Sequence, residues 1–147
     1  MATTSIRHLV ILELMDRVAT ALPGVRVDAC WPGDELEMES VYVADTIGSL
    51  TVPVFGPARL TRDDRFDVRM VVQGGSPQSD TREAMERAAL LLAAVEDVLA
   101  DNPGLGAMDG VVSIGHAIQV EGPNTFPARN GVFTYYLLTI SAHARYD

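Results

Sequence analysis

The sequence predicts an α+β fold, in which two α-helices flank a mostly antiparallel β-sheet. Two segments place apolar residues at helical spacing, and five others carry strand-like alternation or long apolar runs. Because most strand-like segments follow one another without a helix between them, antiparallel pairing is favoured. The predicted order is helix, strand, strand, loop, strand, helix, strand, strand. At 147 residues, the chain is expected to form a single domain, residues 1–147.

The first helix is predicted over residues 6–22. Ser5 or Thr4 can cap its start, and the dipeptide Pro23-Gly24 ends it. Its apolar residues recur on one face, which is the pattern of a helix that packs on a core. That face comprises Ile6, Leu9, Val10, Leu14, Val18 and Ala21.

Three strands and one irregular stretch are predicted between the two helices. The strands cover residues 25–31, 41–47 and 65–74, each with alternating or β-branched residues. Residues 48–65 contain two prolines and two glycines, so we expect a long loop there that is either functional or disordered. In the third strand one face should be buried, and it comprises Phe66, Val68, Met70 and Val72.

The second helix is the best-defined element of the sequence. Asp80 and Glu83 have the spacing of a capping box, and Glu83 can pair with Arg87 one turn later. Residues 88–95 are apolar on every side, which predicts that the helix is covered on more than one face. Deep burial is therefore expected for Leu91, Leu92 and Val95.

The last two strands are predicted over residues 111–121 and 132–146, with Pro123 and Pro127 confining the link to a loop. A straight strand over residues 132–146 would span about 50 Å, whereas a domain of this length is about 40 Å across. Either the strand bends or its end reaches beyond its own domain. The residues at that end are candidates for contact with a partner: His143, Arg145 and Tyr146.

The charge of the chain excludes a tight grip on nucleic acid. The formal net charge is −9, and the chain has no lysine at all. Binding to DNA requires many cationic contacts with phosphates, whereas an acidic surface repels DNA. The chain is also rather apolar, with 48% hydrophobic residues and a mean hydropathy of +0.14. Part of that apolar surface is expected to be hidden by partners.

Two charged segments are candidates for contacts between subunits. The acidic segment is a solvated loop, a docking surface for a basic partner, or a metal site, although it lacks the ligand order of an EF-hand loop. The basic segment is either the counterpart of the acidic one on a neighbouring subunit or an exposed loop of mixed charge. Their residues are Asp34, Glu35, Glu37 and Glu39 in the first, and Arg59, Arg62 and Arg65 in the second.

No catalytic, cofactor-binding or metal-binding site is predicted. The three histidines lack ligand spacing; His116 lies among apolar residues of one strand face, and His143 is expected at the surface. Cys30 is expected to be a small buried residue. No glycine-rich stretch has the spacing of a phosphate loop. We therefore expect neither enzymatic activity nor a cofactor.

The order of the elements and the stretch 63–110 resemble the tail terminator proteins of long-tailed (siphovirus-type) bacteriophages, especially those infecting actinobacteria. The segments that carry the resemblance are "RDDRFDVRMVVQG", "TREAMERAALLLAAVEDVLADNPGLG" and "GVVSIGHAIQVEG", followed by a long final strand. The resemblance covers nearly the whole chain and contains no catalytic signature.

The resemblance implies a structural subunit that forms a ring of six copies on the end of the tail tube. Such a ring ends polymerisation of the tube and presents a surface for the head. The implied partners are other copies, the tail tube protein and a head-completion or connector protein, with DNA passing through the lumen without specific binding. The implied location is the tail or neck of the virion, after assembly in the host cytoplasm and without a membrane. Two alternatives stay open: another neck component, such as a tail-completion or head–tail adaptor protein, and a small cytosolic ligand-binding domain or enzyme.

Overall fold

Two helices pack on one face of a five-stranded sheet in the computed structural model, which describes residues 6–30, 37–51, 62–105 and 112–146. The sheet order is β1-β2-β3-β5-β4; β1 is parallel to β2, and the other neighbours are antiparallel. The predicted α+β class and element order are therefore confirmed. The elements are α1 (Arg7–Ala21), β1 (Arg26–Asp28), β2 (Glu39–Thr51), β3 (Arg62–Ser76), α2 (Thr81–Asp101), β4 (Val112–Ala128) and β5 (Gly131–Tyr146).

The core lies between the helices and the sheet, because one face of each central strand is apolar. The alternation predicted for β3 is confirmed, since Phe66, Val68, Met70 and Val72 are all buried. On β5 the equivalent face buries Leu138 and Ile140. Opposed residues of antiparallel strands share a face, so the apolar rows of β2, β3 and β5 join into one surface. The helices cover this surface.

Helix α1 begins at Arg7 and ends at Ala21, within one residue of its predicted limits. Ile6 occupies the N-cap position without a side-chain hydrogen bond, and the predicted caps Thr4 and Ser5 lie outside the described residues. Its buried face comprises Val10, Leu14, Met15 and Val18.

Helix α2 is capped as the sequence predicts at its first turn. The Asp80 carboxylate accepts hydrogen bonds from the backbone N–H groups of Arg82 (3.0 Å) and Glu83 (3.3 Å). The Glu83 side chain takes other partners: it accepts from the Ser76 hydroxyl at 3.0 Å and pairs with Arg87 at 2.8 Å. These contacts satisfy orphan groups of the first turn and fix the helix to the end of β3.

The deep burial predicted for α2 is confirmed for two of the three residues and is wrong for Leu92. Leu91 and Val95 are buried, but Leu92 is only half-buried and Leu90 is 73% exposed. The reason is that the sheet covers one face of the helix, and a single layer cannot enclose an apolar run that winds around the helix axis.

Both ends of the loop expected at residues 48–65 belong instead to strands. β2 continues to Thr51 and β3 already begins at Arg62, with Thr51 paired to Asp63 across the two strands. Cross-strand hydrogen bonding extends both strands through residues whose composition does not indicate a strand. Residues 52–61 lie outside the described part of the chain.

The loop expected around Pro123 and Pro127 is instead part of β4. The strand continues to Ala128, with an irregularity between Glu121 and Asn124. β4 is the last strand of the sheet, and an edge strand tolerates proline because its outward groups need no partner. A tight hairpin then leads to β5, where Ala128 pairs with Gly131.

The long C-terminal strand β5 lies in the interior of the sheet. It has 16 residues and pairs with β3 along its whole length, from Val132 with Ser76 to Tyr146 with Arg62. We call the β4–β5 turn the hairpin end of the sheet, and the end with Arg62 and Tyr146 the far end. The length of β5 is therefore matched within the chain by an equally long neighbour.

Candidate assembly surface

The face of the sheet turned away from the helices, here called the outer face, is charged toward the far end. The odd-numbered residues of β3 point to it, while their even-numbered neighbours are buried under the helices. On the central part and the far end of this face, the charged residues are Asp45 on β2, Asp63, Arg65, Asp67 and Arg69 on β3, and His143 and Arg145 on β5.

Charges on the outer face are paired across neighbouring strands. Arg69 donates to the Asp45 carboxylate at 2.6 Å, and the Ser141 hydroxyl donates to Asp67 at 3.0 Å. At the far end, the Nε2 atom of His143 hydrogen-bonds to Asp63. The pairs hold β2, β3 and β5 together on a half-exposed surface, where each pair contributes modestly to stability.

The hydrogen bond from His143 holds the pKa of Asp63 below its usual range, and the nearby charges of His143, Arg65 and Arg145 act in the same direction. A carboxyl whose folded-state pKa is lowered stabilises the fold above its unfolded pKa. That contribution is lost as pH falls through the folded-state value. The far end of the sheet is therefore sensitive to acid.

A His143→Ala variant is expected to lose less stability than the wild type as pH falls into the acid range. Without the histidine, the pKa of Asp63 returns toward its unfolded value, so folding no longer depends on its ionisation. Denaturant unfolding at a series of pH values measures the slope of the free energy of unfolding against pH. The matched control is Asp63→Asn, which should show the same reduced slope with or without His143. Identical slopes for the wild type and His143→Ala would contradict this role.

Toward the hairpin end, the middle of the outer face is aromatic, and the charged residues described there lie only on the edge strands β1 and β4. Phe133 is fully buried and stacks on Phe126 with ring centroids 5.8 Å apart, and Phe126 meets Tyr135 edge to face at 5.9 Å. Tyr42 is nearly buried on the same face. Burial, with a smaller effect of Tyr135, raises the pKa of Tyr42 to about 12. The outer face thus has an apolar half and a charged half.

Five of the predicted contact residues meet at the far end. Arg62 pairs with Tyr146, and Arg65 pairs with His143, across β3 and β5. Arg65 is 73% exposed, and Arg145 is exposed beside it. The side chains of Arg62 and Tyr146, and all of Arg59, lie outside the described part of the structure.

The described part of the acidic segment lies near the other end of the sheet. Glu39 pairs with Gly74, which is nine positions along β3 from Arg65, or about 30 Å. Glu37 and Glu39 line a groove of about 570 Å³ together with Arg26 and Arg87. Asp34 and Glu35 lie outside the described residues. Within one chain Glu39 and Arg65 lie far apart, and pairing of the two segments between neighbouring copies stays a prediction.

Sequence reasoning missed the carboxylates that organise the charged half: Asp45, Asp63 and Asp67. The strict alternation of charged and apolar residues through 65–70 was the available signal, and it places Asp67 on one face together with two arginines. The partners of these carboxylates could not be identified in the same way. Asp63 and His143 are 80 positions apart, and only the strand order brings them together.

Cys30 is exposed, so its expected burial is wrong. The strand predicted over residues 25–31 would include Cys30, but β1 ends at Asp28. In the described ranges, no group of three or more metal-ligating side chains is assembled. None of the helices there is long and apolar enough to cross a membrane. The side chain of His116 lies outside the described part.

The fold of this chain is similar to that of a protein chain in the virion of the native gene transfer agent (GTA) particle. The TM-score is 0.59 at 12% sequence identity, and the match covers 98% of this chain and 100% of that one. At this identity the likeness shows the fold alone. No protein-family model matches the chain, and no curated protein matches it.

Proposed function

We propose that the protein is a structural component of a phage-like virion. More specifically, it is a tail terminator that forms a ring of six copies, caps the tail tube, ends its polymerisation and joins the tail to the head. The observation that carries the proposal is the full-length likeness in fold to a chain of the gene transfer agent virion. The likeness extends over nearly all of both chains, so it concerns a whole subunit and not a common fragment.

Exposed apolar side chains support an assembly role. Among the described residues, six large hydrophobic side chains are exposed, on both the helices and the sheet. Scattered single residues of this kind are normal, but a subunit that is surrounded by partners needs several apolar contact points. They are Leu9, Leu12, Ile47, Met85, Leu90 and Val120. In the proposed virion, the partners are other copies, the tail tube protein and a head-completion or connector protein.

The charge of the chain fits a channel through which DNA slides. Six copies of a chain with net charge −9 sum to about −54 before counterions screen it. An acidic wall repels DNA and keeps it from sticking. The acidic segment with Glu37 and Glu39 either lines this lumen or meets the basic segment of a neighbour, as its sequence suggests.

The proposal is tested by the mass and the activity of the assembled protein. Native mass spectrometry and negative-stain imaging of the full chain should give six-fold rings. Added to a polymerising tail tube protein, these rings should stop elongation and give tubes of fixed length. A twelve-fold ring would point to a head–tail adaptor, and a monomer without effect on tube growth would contradict the proposal.

A further inference from the structure

In the described part of the chain, both edges of the sheet lack a neighbouring strand along the same half. Among the described residues, β2 pairs with β1 only over Ser40–Tyr42, and from Val43 to Thr51 its outer edge has no strand beside it. On the opposite side of the sheet, β4 pairs with β5 alone. Open strand edges present unpaired N–H and C=O groups and are ready templates for another strand.

The two open segments lie at the same height in the sheet. A row of paired residues runs across it from Thr46 through Val68 and Ile140 to Ile118. Toward the hairpin end the situation differs on both sides, because β1 covers β2 and two prolines interrupt β4. Proline is a common way to block an edge. Each open segment contains one register shift but no proline. The edges are therefore blocked at one end and open at the other.

Strand directions make the two open edges complementary. β2 is antiparallel to β3, β3 to β5, and β5 to β4, so β2 and β4 run in opposite directions. A second copy placed beside the first in the same orientation brings its β2 against β4 as an antiparallel pair. The alternation within the sheet then continues across the boundary without interruption. Such a head-to-tail contact uses two different surfaces, and a contact of this kind closes into a ring when the rotation fits.

Each open edge also carries an exposed apolar residue. Ile47 on β2 is 55% exposed, and Val120 on β4 is 41% exposed. They project from opposite faces, because Ile47 pairs with Asp67 of the outer face and Val120 pairs with Leu138 of the core. Each would therefore pack on side chains of the neighbouring copy, one on either side of the joined sheet.

We propose that the sheets of neighbouring copies join through β2 of one copy and β4 of the next. The occupant of each open edge is thus a second copy of this chain; that the contact closes into a ring rests on the proposed function. The largest overlap that keeps matching faces together places Asp45 opposite Gln119, both of which point to the outer face.

Cysteine cross-linking tests this contact directly, in a Cys30→Ser background because Cys30 is exposed. The central variant is Asp45→Cys/Gln119→Cys. Two further variants test the two adjacent registers, Asp45→Cys/Glu121→Cys on one side and Asp45→Cys/Ala117→Cys on the other. Directly opposed residues lie within disulfide range, so mild oxidation of the assembled protein should give a ladder of covalent multimers for one of these pairs.

Single-cysteine variants separate a head-to-tail contact from a symmetric one. Each single variant should stay uncross-linked, and a mixture of two complementary single variants should give dimers and nothing larger. Disulfide dimers of a single variant would show a symmetric contact and overturn the proposal. The control pair Asp45→Cys/Glu86→Cys, with the second cysteine on the exposed side of α2, should not give a ladder.

Lysine substitutions provide a readout that does not depend on register. Ile47→Lys and Val120→Lys should each weaken assembly at least about tenfold, because lysine on an edge strand opposes pairing with another strand. Leu90→Lys, at an exposed apolar position of α2, is the matched control and should assemble like the wild type. If six-fold rings form but no cross-linked ladder appears and the lysine variants assemble normally, the proposed β2–β4 contact is wrong, while the proposed ring is unaffected. If no ring forms at all, the proposed function fails as well.

Discussion

Replacing Phe133 with alanine is expected to lower the free energy of unfolding by about 3–5 kcal/mol, the usual cost of removing a buried phenylalanine. Phe133 is fully buried on the outer face, outside the main core under the helices. Its ring stacks on Phe126 and occupies the space above Gly75, where a Cβ atom would lie 2.6 Å from the ring. Alanine would leave a cavity, because the neighbouring ring of Phe126 and the backbone at Gly75 cannot move far enough to fill it.

Denaturant unfolding of the full chain measures this loss. The matched control is Phe126→Ala, whose ring belongs to the same cluster but is only half-buried, so its removal should cost clearly less. Equal losses for the two variants would show that burial on the outer face does not decide the stability of this cluster. A loss below about 0.5 kcal/mol for Phe133→Ala, typical of surface positions, would contradict the prediction.

The second large effect is expected at the ion pair between α1 and the far end of β3. Arg7 contacts the Asp64 carboxylate through Nη2 at 2.7 Å and through Nε at 3.0 Å and 3.2 Å. The Asp64 side chain is fully buried, whereas the Arg7 side chain is 24% exposed. The guanidinium also lies 5.1 Å from the centre of the Phe66 ring. These contacts fix the start of α1 on the sheet.

Asp64→Ala should therefore lower the free energy of unfolding by about 3 kcal/mol, at the low end of the range for a broken buried pair, because Arg7 stays partly in contact with water. The neighbouring carboxylate of Asp63, on the half-exposed outer face, provides the control, and Asp63→Ala should cost much less. The double variant Arg7→Met/Asp64→Leu should regain most of the loss, since an apolar pair avoids the desolvation of both charges. A double variant no more stable than Asp64→Ala would argue against the ion pair as the cause.

The role of Asp64 could not be predicted from its neighbours in the sequence. The segment "RDDR" has the composition of an exposed turn, and the sequence accordingly predicts a loop through residue 65. In the structure these residues form the start of a central strand, with β2 on one side and β5 on the other. A carboxylate that alternates onto the inner face there is buried, and a cation 57 positions away compensates its charge.

The sequence by itself determined what depends on neighbouring residues along the chain. The two helices, the Asp80 cap, the buried face of β3 and the fold class follow from periodicity and from local hydrogen bonding. Its charge and its lack of lysine also limit the partners of the protein without reference to any structure.

Other features depend on which strands become neighbours, and only the tertiary structure decided these. The order β1-β2-β3-β5-β4 pairs Asp63 with His143, places β5 in the interior and, among the described residues, leaves β2 and β4 without a further neighbour along the same half of the sheet. It also extends the strands through glycine, proline and charged residues that read locally as loops. The physical reason is that strand pairing is satisfied by backbone groups of any residue type, so its register depends on contacts between segments distant in the sequence.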